Sequence, residues 1–144
     1  YGNKYDELGY VAIVNDTDYH SKVIVEDNVD ETKLGEYEVN YYLTIKRLNK
    51  TLTRKVKVVD NTKPEIKITG NKEVTCTIKL NDCVLPKYEA TDNYDGNITK
   101  NVTIENGINN DKKGTYEVIY KVKDSSGNEA KDAVKVIVQY QNKN

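Results

Sequence analysis

Tryptophan and phenylalanine are missing from these 144 residues, and histidine occurs once, at His20. A lone imidazole leaves nothing from which to build a Ser-His or Cys-His pair, and its distance in sequence from the two cysteines argues against a zinc site. Motifs that carry chemistry are missing as well: there is no Gly-x-Ser-x-Gly, no His-Glu-x-x-His and no glycine-rich phosphate loop between a strand and a helix. Charge of one sign is also lacking. With 22 basic and 23 acidic residues interspersed, a net charge of -1 and a pI of about 5.9, the chain has no electrostatic footprint for nucleic acid or an anionic membrane. The longest apolar runs are four or five residues, as at Val11 to Val14, against the roughly 20 that span a bilayer. Without Trp or Phe, a sugar-stacking platform would rest on tyrosines. Of twelve Tyr, most fall at core-type strand positions, and only Tyr42, Tyr94 and Tyr140 are predicted to face outward. The chain starts at Tyr1 with no apolar signal segment, which reads as an excised piece of something longer.

Cysteine is nearly absent too. Cys76 and Cys83 lie in Val-Thr-Cys-Thr-Ile-Lys-Leu-Asn-Asp-Cys-Val, a stretch that reads as two short strands about an Asn-Asp turn. A disulfide there would staple a hairpin, and it implies an oxidising, extracytoplasmic setting. The alternative is two unpaired thiols in a reduced compartment.

What is present is repetition. Gly35-Glu36-Tyr37-Glu38-Val39-Asn40-Tyr41 returns as Gly114-Thr115-Tyr116-Glu117-Val118-Ile119-Tyr120, a shift of 79 residues that also carries Val23 onto Val102, Val25 onto Ile104 and Lys33 onto Lys112. Duplication of a supersecondary unit multiplies reach or avidity more readily than catalysis. In each copy the alternation is of strand type: Tyr37, Val39, Tyr41, Leu43 and Ile45 share one face, as do Tyr116, Val118, Tyr120 and Val122. A polar turn follows, Lys46 to Lys50 or Asp124-Ser125-Ser126-Gly127-Asn128, and then a second alternating run, so each repeat closes on an antiparallel hairpin. Further strands are predicted at Val11 to Val14, Val23 to Glu26, Ile66 to Thr69, Val74 to Ile78, Lys87 to Ala90 and Ile98 to Ile104, with no convincing helical period. Short strands with turn signals every 8 to 12 residues predict an all-β chain of two tandem immunoglobulin-like β-sandwiches. Gly-x-Tyr-x-Val opening a core strand matches a tyrosine corner, at Tyr37 and Tyr116.

The predicted domains are residues 1–63 and 64–144, joined through Asp60-Asn61-Thr62-Lys63-Pro64. Pro64 fixes its own φ and holds Lys63 extended, so the joint is short and semi-rigid. Shifting back by 79 places Tyr1 opposite Leu80, so the first repeat has no counterpart of residues 64–79 and lacks its opening strand. Either that strand was cut away in making this fragment, or the first domain is a shorter variant with an exposed sheet edge, a liability that the abundant Lys and Glu partly blunt.

One polar cluster stands out: Ala90-Thr91-Asp92-Asn93-Tyr94-Asp95-Gly96-Asn97-Ile98, with Asp124 in the later turn and Asp60 at the joint. Hard oxygen ligands at this spacing suit calcium. Asp, Asn and Gly are equally what tight turns require, and repeat one keeps only Asp16 of the loop. No catalytic, cofactor-binding or metal residue is therefore assigned, and the chain is not read as an enzyme.

Gly114 to Ala130, preceded by Ala90 to Gly96 and the Asp60 to Ile66 joint, resembles bacterial immunoglobulin-like surface repeats of the DUF5011 or group 3 type. The resemblance covers residues 64–140 and, more loosely, 5–63, where Leu48-Asn49-Lys50 replaces the Ser-Gly-Asn turn. It implies a secreted or wall-associated bacterial protein, often Gram-positive, in which such repeats act as stalks, adhesion modules or appendages of cell-wall enzymes such as polysaccharide deacetylases and peptidases. The partners it implies are other domains of the same longer chain, cell-wall glycan or a host or surface protein, with no nucleic acid and no membrane insertion.

Overall fold

The structure, a computed structural model, describes residues 1–141; the last three residues of the second predicted domain lie outside them. The described residues form strands and two short 3-10 turns, and the chain divides into two compact units, Tyr1–Asp60 and Asn61–Asn144.

The first unit contains β1 (Ile13–Val14), β2 (Thr17–Asp18), β3 (Ile24–Asp27), β4 (Gly35–Ile45) and β5 (Leu48–Val58). β1 and β2 pair as a small hairpin, and β3, β4 and β5 form an antiparallel sheet in that order. Val39, Tyr41 and Leu43 are buried along one face of β4, as the period-2 pattern requires.

The second unit contains β6 (Glu65–Thr69), β7 (Glu73–Thr77), β8 (Lys87–Asp92), β9 (Gly96–Asn97), β10 (Thr103–Asn106), β11 (Gly114–Lys123) and β12 (Glu129–Gln139). One sheet has the order β10-β11-β12-β7, with β7 parallel to β12 and the rest antiparallel; the other is β6-β8-β9. The sheets meet face to face. Ile66 and Ile68 of β6 and Tyr88 of β8 pack on a core of Val118, Tyr120, Val134, Val136 and Val138, and the Tyr88 and Tyr120 rings meet edge-on at 5.2 Å. This is the immunoglobulin-like sandwich anticipated from the strand spacing, and aligned inner faces of alternating apolar residues are what hold it together.

The two units reuse one framework. Tyr41 and Tyr120 occupy the same place, since Tyr10 tilts against Tyr41 at 5.3 Å as Tyr88 does against Tyr120. The 3-10 turns recur as well, at His20–Lys22 and Thr99–Asn101. Their cause is local: the Asp18 carboxylate accepts from the His20 N–H at 2.8 Å and the Asn97 side-chain carbonyl from the Thr99 N–H at 3.0 Å. These side-chain bonds compete with the sheet ladder. They correct the predicted strand at Ile98 to Ile104, which begins only at Thr103.

A second correction concerns the cysteines. Cys76 and Cys83 are bonded, with Cα atoms 5.0 Å apart, yet they do not staple a hairpin. Only Cys76 is on a strand. After Thr77 the backbone turns through left-handed Lys79 and Asn81, the Asp82 carboxylate accepts from the Thr77 N–H at 2.7 Å, and the Lys79 N–H donates to the Asn110 carbonyl at 2.7 Å. β7 pairs only with the parallel strand β12 among the described residues, and the Cys83 segment forms no strand.

Candidate functional site

Each unit opens its longest hairpin on a tyrosine whose hydroxyl returns to the chain just upstream. Tyr37 donates to the Lys33 carbonyl at 2.9 Å and Tyr116 to the Lys112 carbonyl at 2.7 Å. In both cases the donor and acceptor are four residues apart, so the bond pins the loop entering the strand. These are structural contacts, placed where the Gly-x-Tyr-x-Val pattern puts a tyrosine corner.

The second unit brings Asp92 and Asp124 together. Both are buried, and each offers a carboxylate oxygen within 4.8 Å of the other. Asp92 sits at the end of β8 and its Oδ2 accepts from the N–H groups of Tyr94 and Asp95 at 3.0 and 2.9 Å. Asp124 organises the turn after β11: its Oδ1 accepts from the Ser126 and Asn128 N–H groups at 2.9 and 2.8 Å, and its Oδ2 from the Asn128 amide at 2.7 Å. Asp95, three residues beyond Asp92, ties the two loops by accepting from the Ser125 hydroxyl at 2.7 Å, and the two bonds to Ser125 hold its carboxyl below the ordinary range. The turn chemistry of Asp and Asn thus accounts for most of this cluster. Asp92 Oδ1 is buried and makes no hydrogen bond among the described residues, and a carboxylate oxygen is the kind of ligand a hard cation takes. In the first unit Val14 and Ile45 take the places of Asp92 and Asp124. Asp60, the last residue of the first unit, is buried too.

Sequence reasoning missed the polar centre of the first unit. β4 pairs Val39 with Arg54, where β11 pairs Val118 with Val134. An arginine therefore stands at a position that is a fully buried valine in the other copy. It is accommodated by Glu7, whose Oε1 lies 2.8 Å from Arg54 Nη1, while the Tyr41 hydroxyl donates to the Glu7 carboxylate at 2.7 Å. Arg54 also donates to the Gly9 carbonyl at 3.2 Å and lies 5.5 Å from the centre of the Tyr41 ring. The hydrogen bond from Tyr41, together with the Arg54 charge, holds the Glu7 carboxyl below its usual range, and burial with the Glu7 contacts pushes Tyr41 up to about 12. The one available signal was Arg54 interrupting the Leu52, Val56, Val58 alternation. Beside this centre runs an apolar groove of about 490 Å³ between Tyr10, Val14, Val23, Leu43, Leu48 and Leu52.

The predicted outward tyrosines do not converge. Tyr42 bonds Glu26 within the first unit. Tyr94 lies by the turn at the end of β11, whereas Tyr140 follows β12 at the start of β11. Ten strand residues separate those ends, roughly 30 Å at the ordinary strand rise. His20 is stacked on Tyr10 at 4.5 Å.

Two sandwiches in series, each entered through a tyrosine corner, define a tandem immunoglobulin-like module. The chain belongs to the family described as bacterial surface protein, Ig-like domain, which matches residues 1–58 and 66–138. It is 32% identical over 127 residues to the pesticidal crystal protein Cry22Aa of Bacillus thuringiensis, a match spanning 85% of this chain and 17% of that protein. Among solved structures it is similar to the lipoprotein BT2262 from Bacteroides thetaiotaomicron, at 21% identity and a TM-score of 0.47, over 56% of this chain and 40% of that one. The M60 catalytic domain of Clostridium perfringens ZmpB with its CBM51-1 and CBM51-2 domains gives 14% identity and a TM-score of 0.43, over 89% of this chain and 29% of that one. The chain thus spans less than half of each relative.

Proposed function

We propose that the two units are a non-catalytic spacer or adhesion stalk of a longer protein at the surface or in the wall of a Gram-positive bacterium, where they position neighbouring domains outside the cell. Membership of a surface Ig-like family in two consecutive copies is the observation that carries this reading. Copying a sandwich lengthens a stalk, and each copy adds a rigid element rather than a reactive centre. The disulfide suits an oxidising exterior.

The competing reading is a wall-glycan-binding accessory region. The separation of Tyr94 from Tyr140 favours the spacer, since stacked sugar recognition needs converging rings. Sedimentation of the chain with purified peptidoglycan tests the choice. The expected outcome is no retention and no release of soluble fragments. Retention lost on Tyr94→Ala would replace the spacer reading with glycan binding, and hydrolysis would replace it with catalysis.

A further inference from the structure

Turn hydrogen bonds account for three of the four carboxylate oxygens of Asp92 and Asp124, and not for the fourth. Asp92 Oδ2 is held by the Tyr94 and Asp95 N–H groups, which fixes the carboxylate and leaves Oδ1 buried with no donor among the described residues. Asp92 is 8% exposed and Asp124 6%, and the two offer oxygens within 4.8 Å of each other. Two carboxylates so close and so dry repel each other unless a positive charge offsets them. Among the described residues, no Lys, Arg or His forms an ion pair with either one.

The sandwich does not demand acids at these places. In the first unit Val14 pairs with Thr17 as Asp92 pairs with Gly96, and Ile45 ends β4 where Asp124 follows β11. A framework that accepts valine and isoleucine here gains nothing from two buried charges, so their cost is offset by something other than the fold. The loops are also held ready. Asp95 accepts from the Ser125 N–H and hydroxyl, at 2.5 and 2.7 Å, and so ties the turn after β8 to the turn after β11. With its own oxygens engaged by Ser125, Asp95 positions the pair rather than joining it.

We propose that Asp92 and Asp124 are ligands of a calcium ion held between the turn after β8 and the turn after β11. Asp92 contributes Oδ1, and Asp124 a second oxygen. Calcium takes oxygens at about 2.3–2.6 Å, so two oxygens on one ion are at most roughly 5 Å apart, a limit this pair meets. The donors are hard. Both cysteines are consumed by their disulfide and the single histidine is in the first unit, which disfavours zinc and copper. Calcium also accepts backbone carbonyls and water in irregular number, as a site built on two loops requires, whereas magnesium demands near-ideal octahedral geometry. The bound ion would neutralise the pair and clamp this end of the second sandwich.

The test uses the full chain, stripped with EDTA and dialysed. Titration calorimetry with calcium chloride is expected to show one site. Calcium at about ten times the measured Kd is expected to raise the melting temperature of the second unit by about 4 °C or more. Asp92→Asn keeps a residue suited to the turn and removes the charge, and is expected to weaken calcium binding at least about tenfold. In EDTA the same variant should melt no lower than the unaltered chain, because it removes an uncompensated buried charge. If the variant fails to fold, amide NMR of the unaltered chain decides: Tyr94, Asp95, Ser126 and Asn128 should shift with calcium while Gly35 and Glu36 stay fixed. No binding, shifts confined to other residues, or equal binding of magnesium overturns the proposal. So does undiminished binding by Asp92→Asn, or a loss of stability in that variant that is as large in EDTA as in calcium, which would leave Asp92 a turn residue only.

Discussion

Tyr120→Phe should stabilise the second unit, although it removes a polar group from a native core. The Tyr120 side chain is 0% exposed, its ring is held edge-on by Tyr88 at 5.2 Å, and its hydroxyl is buried without a hydrogen-bond partner among the described residues. Burial also pushes its phenol up in pKa, with the nearby Tyr88 adding to the effect. A buried hydroxyl left unpaired costs about 1–3 kcal/mol, while phenylalanine keeps the ring and its aromatic contact, worth roughly 0.5–1.5 kcal/mol. The net expectation is a gain of about 1 kcal/mol, which for a unit of this size raises its melting temperature by roughly 4–8 °C. Calorimetry on the full chain measures it, with amide exchange of Val118 and Val134 assigning the transition to the second unit. Tyr41→Phe is the matched control. It occupies the same position in the first unit, but its hydroxyl donates to Glu7 at 2.7 Å, so its removal should lower the stability of that unit. A loss of 1 kcal/mol or more in Tyr120→Phe would refute the reasoning, because the hydroxyl would then have a partner worth keeping.

Two further outcomes follow from the same contacts. Reducing Cys76–Cys83, which are seven residues apart, should destabilise the second unit by about 2.5 kcal/mol in the chain-entropy model and leave the first unit unchanged, as read from urea unfolding with and without reductant. Tyr41 is raised to about 12 by burial and by Glu7, so its contribution is fully present below the unfolded tyrosine pKa near 10 and is lost as pH rises toward about 12. The first unit should therefore weaken across that alkaline window, and Tyr41→Phe should flatten the slope; an unchanged slope would remove Tyr41 as its cause.

Much of the fold was legible because strand alternation is a local property. The positions of Val39, Tyr41, Val118 and Tyr120 follow from period-2 patterning alone, and the duplication made the pattern readable twice. The bonds of Tyr37 and Tyr116 lie where a Gly-x-Tyr-x-Val motif puts them, since donor and acceptor are only four residues apart. The polar centre at Glu7, Tyr41 and Arg54 was not legible, because Glu7 is 47 residues from Arg54 and nothing local ties them. The grouping of Asp92 with Asp124 was legible from their turn-type surroundings, and the structure brings the two carboxylates within 4.8 Å.

The amino-acid order by itself determined that this chain is all strand, that it repeats, and which faces of β4 and β11 are core, because side-chain alternation and turn chemistry act over a few residues. Only the tertiary structure decided that β7 lies parallel to β12 while the segment carrying Cys83 forms no strand, and that an arginine takes a core valine's place by pairing with a distant glutamate. Those outcomes are set by which strands meet across long sequence separations, where packing and charge compensation between remote segments outweigh local preference.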